Sequence, residues 1–142
     1  MSPGRADTPV VRRHLAALRS ALPILRRHSG VSPQALNADP ERRWSVERGL
    51  QLSAQNALDI ATHLASTLGL DTSDYPSAID RLVEAEVLPA EFGARFRAVA
   101  GFRNILVHGY LDVDLEIVAD AVNRHLEDFE EFARHVERWI EM

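Results

Sequence analysis

The chain has 142 residues, a formal net charge of −5, no cysteine and no lysine. That length suits one domain with a real core, and the missing cysteines exclude disulfide staples, thiolate metal sites and thiol nucleophiles. The acidic balance is the wrong sign for non-specific nucleic-acid binding, and with no apolar run near the roughly 20 residues of a membrane span and no signal-peptide core, a cytoplasmic protein without membrane contact is expected.

Residues 1–8 read as a polar, disordered start, and residues 9–142 as one helical domain. Thr8-Pro9 is a cap followed by proline in the first turn. Val11, Leu15, Leu18, Leu22 and Leu25 then recur every three or four residues, as on one face of a helix. Pro23 is expected to kink that helix or loosen its last turns, and Ser29-Gly30 stops it. A loop over 31–38, with at most one helical turn, leads to a second cap and proline at Asp39-Pro40. The long helix that follows carries Leu50, Ala57, Leu58, Ile60, Ala61 and Leu64 on a broad apolar face, with Trp44 expected as a core anchor at its start, and ends at Gly69.

After a turn over 70–76, a short helix spans Ser77–Glu86. A fourth helix starts at Leu88-Pro89, carries Phe92, Phe96, Val99, Phe102 and Leu106, and stops near His108-Gly109. The last, beginning after Asp114, places Leu115, Val118, Val122, Leu126, Phe129, Ala133, Val136 and Ile140 at near-heptad spacing and would be about 40 Å long if continuous. No strand alternation, repeat or low-complexity tract interrupts this pattern. The expectation is an all-α, single-domain bundle of about five helices, four long and one short.

Charge is unevenly placed. Arginines recur through the first 48 residues and at 95, 97 and 103, while acids crowd the last helix at Glu127, Asp128, Glu130, Glu131, Glu137 and Glu141. The histidines at 14, 28, 125 and 135 stand among charged residues and are expected to be solvated. Asp59 and His63, one turn apart on the long helix, read as a helix-stabilising pair more readily than as metal ligands, since no third ligand has suitable spacing. Arg42-Arg43-Trp44 has the composition to stack on a base. No short helix carries the basic face of a DNA reader, so no DNA partner is expected.

The most concentrated chemistry is Phe102-Arg103-Asn104-Ile105-Leu106-Val107-His108-Gly109-Tyr110. Arginine is a permanent cation suited to phosphate, and histidine is the side chain suited to moving protons near neutral pH. Asn104 and His108 lie one turn apart on one helix face, with Arg103 beside them. A phosphodiester needs such parts: a cation on the non-bridging oxygens and a base for the 2′-hydroxyl. The bland alternative is that arginine and histidine near a helix C-terminus simply satisfy its dipole and free carbonyls.

The whole string resembles the R-x4-H-x-Y signature of HEPN-domain proteins, specifically the HepT-like toxin subgroup. Glu47-Arg48-Gly49-Leu50-Gln51-Leu52 with Asp59-Ile60-Ala61-Thr62-His63-Leu64 is similar to that family's second helix, and Asp112-Val113-Asp114 to the turn after its signature helix. The resemblance covers roughly residues 9–136. It implies a helical homodimer whose paired motifs form a metal-independent endoribonuclease acting on RNA such as tRNA, with no cofactor. It also implies a type II toxin–antitoxin pair, in which a minimal nucleotidyltransferase antitoxin silences the toxin by transferring AMP to the motif tyrosine. Carried onto this chain, Arg103 and His108 are the catalytic residues and Tyr110 the AMPylation target. Asn104 orients the phosphate or the imidazole, and Asp59 supports the cleft. Arg95 and Arg97 are expected to add positive charge near Arg103. The alternative is a non-catalytic nucleotide-binding or regulatory subunit of a nucleotidyltransferase complex.

Overall fold

A computed structural model of the chain describes residues 8–109 and 113–142. The described residues form eight helices: α1 (Thr8–Arg26), α2 (Pro33–Ala38), α3 (Pro40–Thr67), α4 (Tyr75–Glu84), α5 (Ala90–Phe96), α6 (Val99–His108), α7 (Leu115–Arg124) and α8 (Leu126–Ile140). The all-helical bundle agrees with the periodicity. The count of about five does not, and the two main reasons are physical.

The predicted fourth helix is two. α5 stacks Phe92 on Phe96, and Phe96 packs against Phe129 and Phe132 of α8, whereas α6 lies on α3. The two are divided at Arg97-Ala98, where the Ala100 N–H reaches back only three residues to Arg97. The predicted 40 Å last helix is likewise two, broken at His125. α7 packs on α2 and α3, and α8 on α1 and α3. Asn123 pins the end of α7 by accepting from the Gly30 N–H at 2.7 Å and donating to the Val31 carbonyl at 2.9 Å. The α2 turn, expected as loop, is capped by Ser32, whose hydroxyl accepts from the Ala35 N–H.

α1 begins at Thr8, inside the polar start, because Pro9 suits a first helical turn; residues 1–7 lie outside the described residues. It runs through Pro23 and ends three residues later, in turns whose N–H groups reach back only three residues. α3 is the axis of the molecule. Asp39 caps it by accepting from the Arg42 N–H at 3.1 Å, and Gly69, at φ +74°, closes it as the Leu70 N–H returns to the Ala65 carbonyl. Its alanines at 54, 57, 61 and 65 are buried, and such small side chains let α1, α4 and α6 approach closely. α4 starts at Tyr75, earlier than the spacing predicts, because Asp74 caps it. The Ser77 hydroxyl and backbone N–H hold the Asp74 carboxyl below its ordinary value.

Trp44 is no core anchor: it is 74% exposed. Val46 and Leu50 fill the core at the start of α3, and Trp44 lies about 160° round the helix from Val46. Nor are all the histidines solvated. His14 meets Asn56 at 2.8 Å, His28 accepts from the Arg42 Nε–H at 3.1 Å, and His135 meets Glu131 at 3.2 Å.

Candidate active site

α6 buries Val99 and Ala100 and rests Phe102 and Leu106 on the core. The same helix leaves Asn104, Ile105 and His108 exposed, with Arg103 half-buried between the two sides. The position of Arg103 follows from helix geometry: next to Phe102, it emerges along the seam where α6 meets α3.

There it meets a set of neutral partners. Its Nε–H donates to Gln55 Oε1 of α3 at 2.8 Å, and Nη1 donates to Asn104 Oδ1 at 3.0 Å. The guanidinium carbon lies 5.6 Å from the centroid of the Tyr75 ring, at the start of α4. Gln55 in turn donates through Nε2 to Asp59 Oδ1 at 2.8 Å and to the Tyr75 hydroxyl at 3.3 Å. Asp59, expected to support the site, has no direct contact with Arg103 and is linked to it only through Gln55.

His108 is the last residue of α6 and stands exposed, and Gly109 follows as the helix's cap. A side chain on Gly109 would meet the Ile105 carbonyl oxygen at 2.6 Å, so glycine lets the chain leave the helix directly after the imidazole. Five residues of helix put Arg103 and His108 about 140° apart in azimuth, and no hydrogen bond joins them. Within one chain the guanidinium leans on α3 while the imidazole faces outward. Tyr110 lies outside the described residues.

Two expected contributors are committed elsewhere. Arg95 reaches Asp128 and Glu131 of α8, each at 3.4 Å, and Arg97 pairs with Asp80 at 2.8 Å. Neither adds free positive charge beside Arg103, because Arg95 of α5 is held by α8 and Arg97, just past α5, by Asp80 of α4. Conversely, spacing along the motif does not point to Gln55 or Tyr75. Gln55 falls one turn before Asp59, so the only signal is its place on the same face of the long helix. Tyr75 stands where the sequence suggests no more than a turn.

A family model described as ribonuclease HepT-like matches residues 17–136. The mRNA nuclease HepT of Shewanella oneidensis is 34% identical over 90 residues, which cover 62% of this chain and 67% of that protein. The tRNA nuclease HepT of Aphanizomenon flos-aquae is 26% identical over 133 residues, 92% of this chain and 90% of that one. The solved structure of the tri-AMPylated Shewanella oneidensis HEPN toxin in complex with MNT antitoxin matches with a TM-score of 0.79 at 24% identity, covering 91% of this chain and 97% of that chain. The similarity to that structure is one of fold.

Proposed function

Because the chain belongs to the ribonuclease HepT-like family and is an endoribonuclease by that membership, we propose that it is the toxin of a type II toxin–antitoxin pair and cuts RNA through Arg103 and His108. The observation that carries this reading is the company of Arg103: a half-buried guanidinium held by amides and an aromatic ring, with no carboxylate among the described residues to neutralise it. A cation so held keeps its charge for an anionic ligand.

The chemistry follows from the two side chains. His108 takes the proton of a ribose 2′-hydroxyl as that oxygen forms a bond to the adjacent phosphorus, and Arg103 stabilises the charge that grows on the non-bridging oxygens. The bond from phosphorus to the 5′-oxygen breaks, and that oxygen takes a proton. The products are a 2′,3′-cyclic phosphate and a 5′-hydroxyl end. The azimuth between the two side chains supports a homodimer in which two α6 helices face each other, since each imidazole then approaches the guanidinium of the second copy. The exposed strip of Gly101 and Ile105 on α6 supplies a flat, partly apolar surface for that approach.

Control would come from a minimal nucleotidyltransferase antitoxin that transfers AMP to Tyr110. Two positions beyond His108, an AMP group would set a phosphate anion against the Arg103 guanidinium and occupy the cleft. The Shewanella oneidensis complex, a tri-AMPylated HEPN toxin with MNT antitoxin, supports this reading.

The test is RNA cleavage by the purified protein, with the new ends identified chemically. Cyclic phosphate and 5′-hydroxyl ends that vanish in His108→Ala are expected; unchanged cutting by that variant would sink the assignment. Mass spectrometry of the protein made together with a minimal nucleotidyltransferase antitoxin of this class should find AMP on Tyr110, and an unmodified Tyr110 under those conditions would remove the proposed mode of control.

A further inference from the structure

We propose that Gln55, braced by Asp59 and Tyr75, is a positioning residue that aims the Arg103 guanidinium so that only its Nη1/Nη2 edge is offered to the RNA phosphate. The inference rests on the reading of Arg103 as the phosphate-holding cation.

A guanidinium carries five N–H donors, arranged as a rigid planar fork. An arginine can clasp two phosphate oxygens through its side, using Nε and Nη2, or through its end, using Nη1 and Nη2. Here the Nε–H is taken by Gln55 Oε1 at 2.8 Å, and one hydrogen of Nη1 by Asn104 Oδ1 at 3.0 Å. The side edge is therefore occupied. Three N–H groups remain, one on Nη1 and two on Nη2, so only the terminal nitrogens have donors left for a phosphate.

The orientation of the Gln55 amide is dictated by its neighbours. Asp59 Oδ1, a carboxylate acceptor, receives Nε2 at 2.8 Å, and the Tyr75 hydroxyl receives it at 3.3 Å. A flipped amide would set an N–H against the Arg103 Nε–H and an oxygen against the Asp59 carboxylate, so only one orientation satisfies the set. The Tyr75 ring, 5.6 Å from the guanidinium carbon, supplies an aromatic surface that stabilises the cation without pairing its charge. Three helices, α3, α4 and α6, thus hold one side chain that on an isolated helix would sample many rotamers.

The chemical identity of position 55 matters as much as its place. Arg95 and Arg97, on or beside neighbouring α5, are held by carboxylates. Gln55 gives Arg103 the same hydrogen bond from a neutral oxygen. Asp59 keeps its negative charge one amide away, where it orients the clamp but makes no ion pair with the guanidinium. The arrangement fixes direction and leaves the charge available.

The experiment is steady-state cleavage of a short RNA by the full-length protein, comparing wild type, Gln55→Met, Gln55→Glu, Arg103→Lys and the Gln55→Met/Arg103→Lys double variant. Gln55→Met keeps the shape and removes the polar atoms. It should lower kcat roughly 10–100-fold, the scale of an ångström-sized misplacement, with little change in KM. In the Arg103→Lys background the same change should add nothing, because Gln55 acts only through the guanidinium. Gln55→Glu keeps the acceptor but neutralises the cation, so KM for RNA should rise. Wild-type kcat in Gln55→Met, losses that multiply in the double variant, or wild-type KM in Gln55→Glu would overturn the inference. Wild-type kcat in Arg103→Lys would instead remove the reading of Arg103 on which it stands, and the two failures are separate observations.

Discussion

The arginines that face α8 and the arginine in the middle of α6 belong to one acidic chain but keep different company. Arg19 reaches Glu130 and Glu137, Arg26 reaches Glu127 and Glu130, Arg95 reaches Asp128 and Glu131, and Arg134 reaches Glu127. The acids of the last helix thereby occupy guanidinium groups from α1, from α5 and from their own helix. Arg103 has Gln55, Asn104 and the Tyr75 ring, and Arg48, exposed on α3, has no carboxylate partner among the described residues. Between residues 8 and 68 there are eight arginines against four acids, whereas residues 113–142 hold three against nine. Net charge is a poor guide to where an anion can bind. What counts is which cations the fold has already paired.

That contrast can be broken by substitution, starting where the effect is greatest. Arg103→Ala and His108→Ala should each lower RNA cleavage by about 10²–10⁴-fold while thermal melting stays close to wild type, since neither side chain fills the core. Next comes Gly109→Ala. Its new methyl would press on the Ile105 carbonyl and shift the end of α6, so kcat should fall by roughly tenfold or more as His108 is displaced; an unaltered rate would show that the imidazole tolerates movement there.

Arg48→Gln sharpens the electrostatic half of the contrast. If uncommitted arginines form the field that RNA meets, the salt dependence of binding should become shallower by up to about one counterion. The matched change on the paired side, Arg134→Gln, should leave that slope alone. Its own effect is on stability, below about 1 kcal/mol for so exposed a pair, seen as a small drop in melting temperature. The smallest effect belongs to the α4 cap. Asp74 has a lowered pKa in the folded chain, so its carboxylate stabilises the fold above its unfolded value, and that contribution is lost as pH falls through the folded value. Asp74→Ala should therefore melt slightly below wild type at neutral pH, and the gap should close on acidification.

Much of the fold was legible because caps and apolar spacing are local. Asp39-Pro40, Gly69 and the stripe from Val11 to Leu25 marked their helices without help from the rest of the chain. The breaks at Arg97-Ala98 and His125 were hidden for the same reason: Phe92, Phe96, Val99, Phe102 and Leu106 keep a helical spacing straight through the first of them. Nothing in that spacing says that Phe96 packs on α8 while α6 turns to α3. Trp44 misled because a large aromatic at a helix start resembles an anchor, and which side of α3 is covered depends on where α1 and α2 dock.

The site divides in the same way. Arg103, Asn104 and His108 stand within six residues on one helix, so their kinship is written into a single stretch of chain. Gln55 lies 48 residues from the arginine it holds, and Tyr75 contributes from the start of a third helix. Periodicity and caps need only neighbours along the backbone, and they were enough to name an all-α chain and its most chemistry-rich motif from the string of residues alone. Direction and charge pairing need neighbours in space. Which guanidinium is left unneutralised, and toward what it points, emerged only once α3, α4 and α6 had packed, because hydrogen bonds and ion pairs form between surfaces that distant parts of the chain bring together.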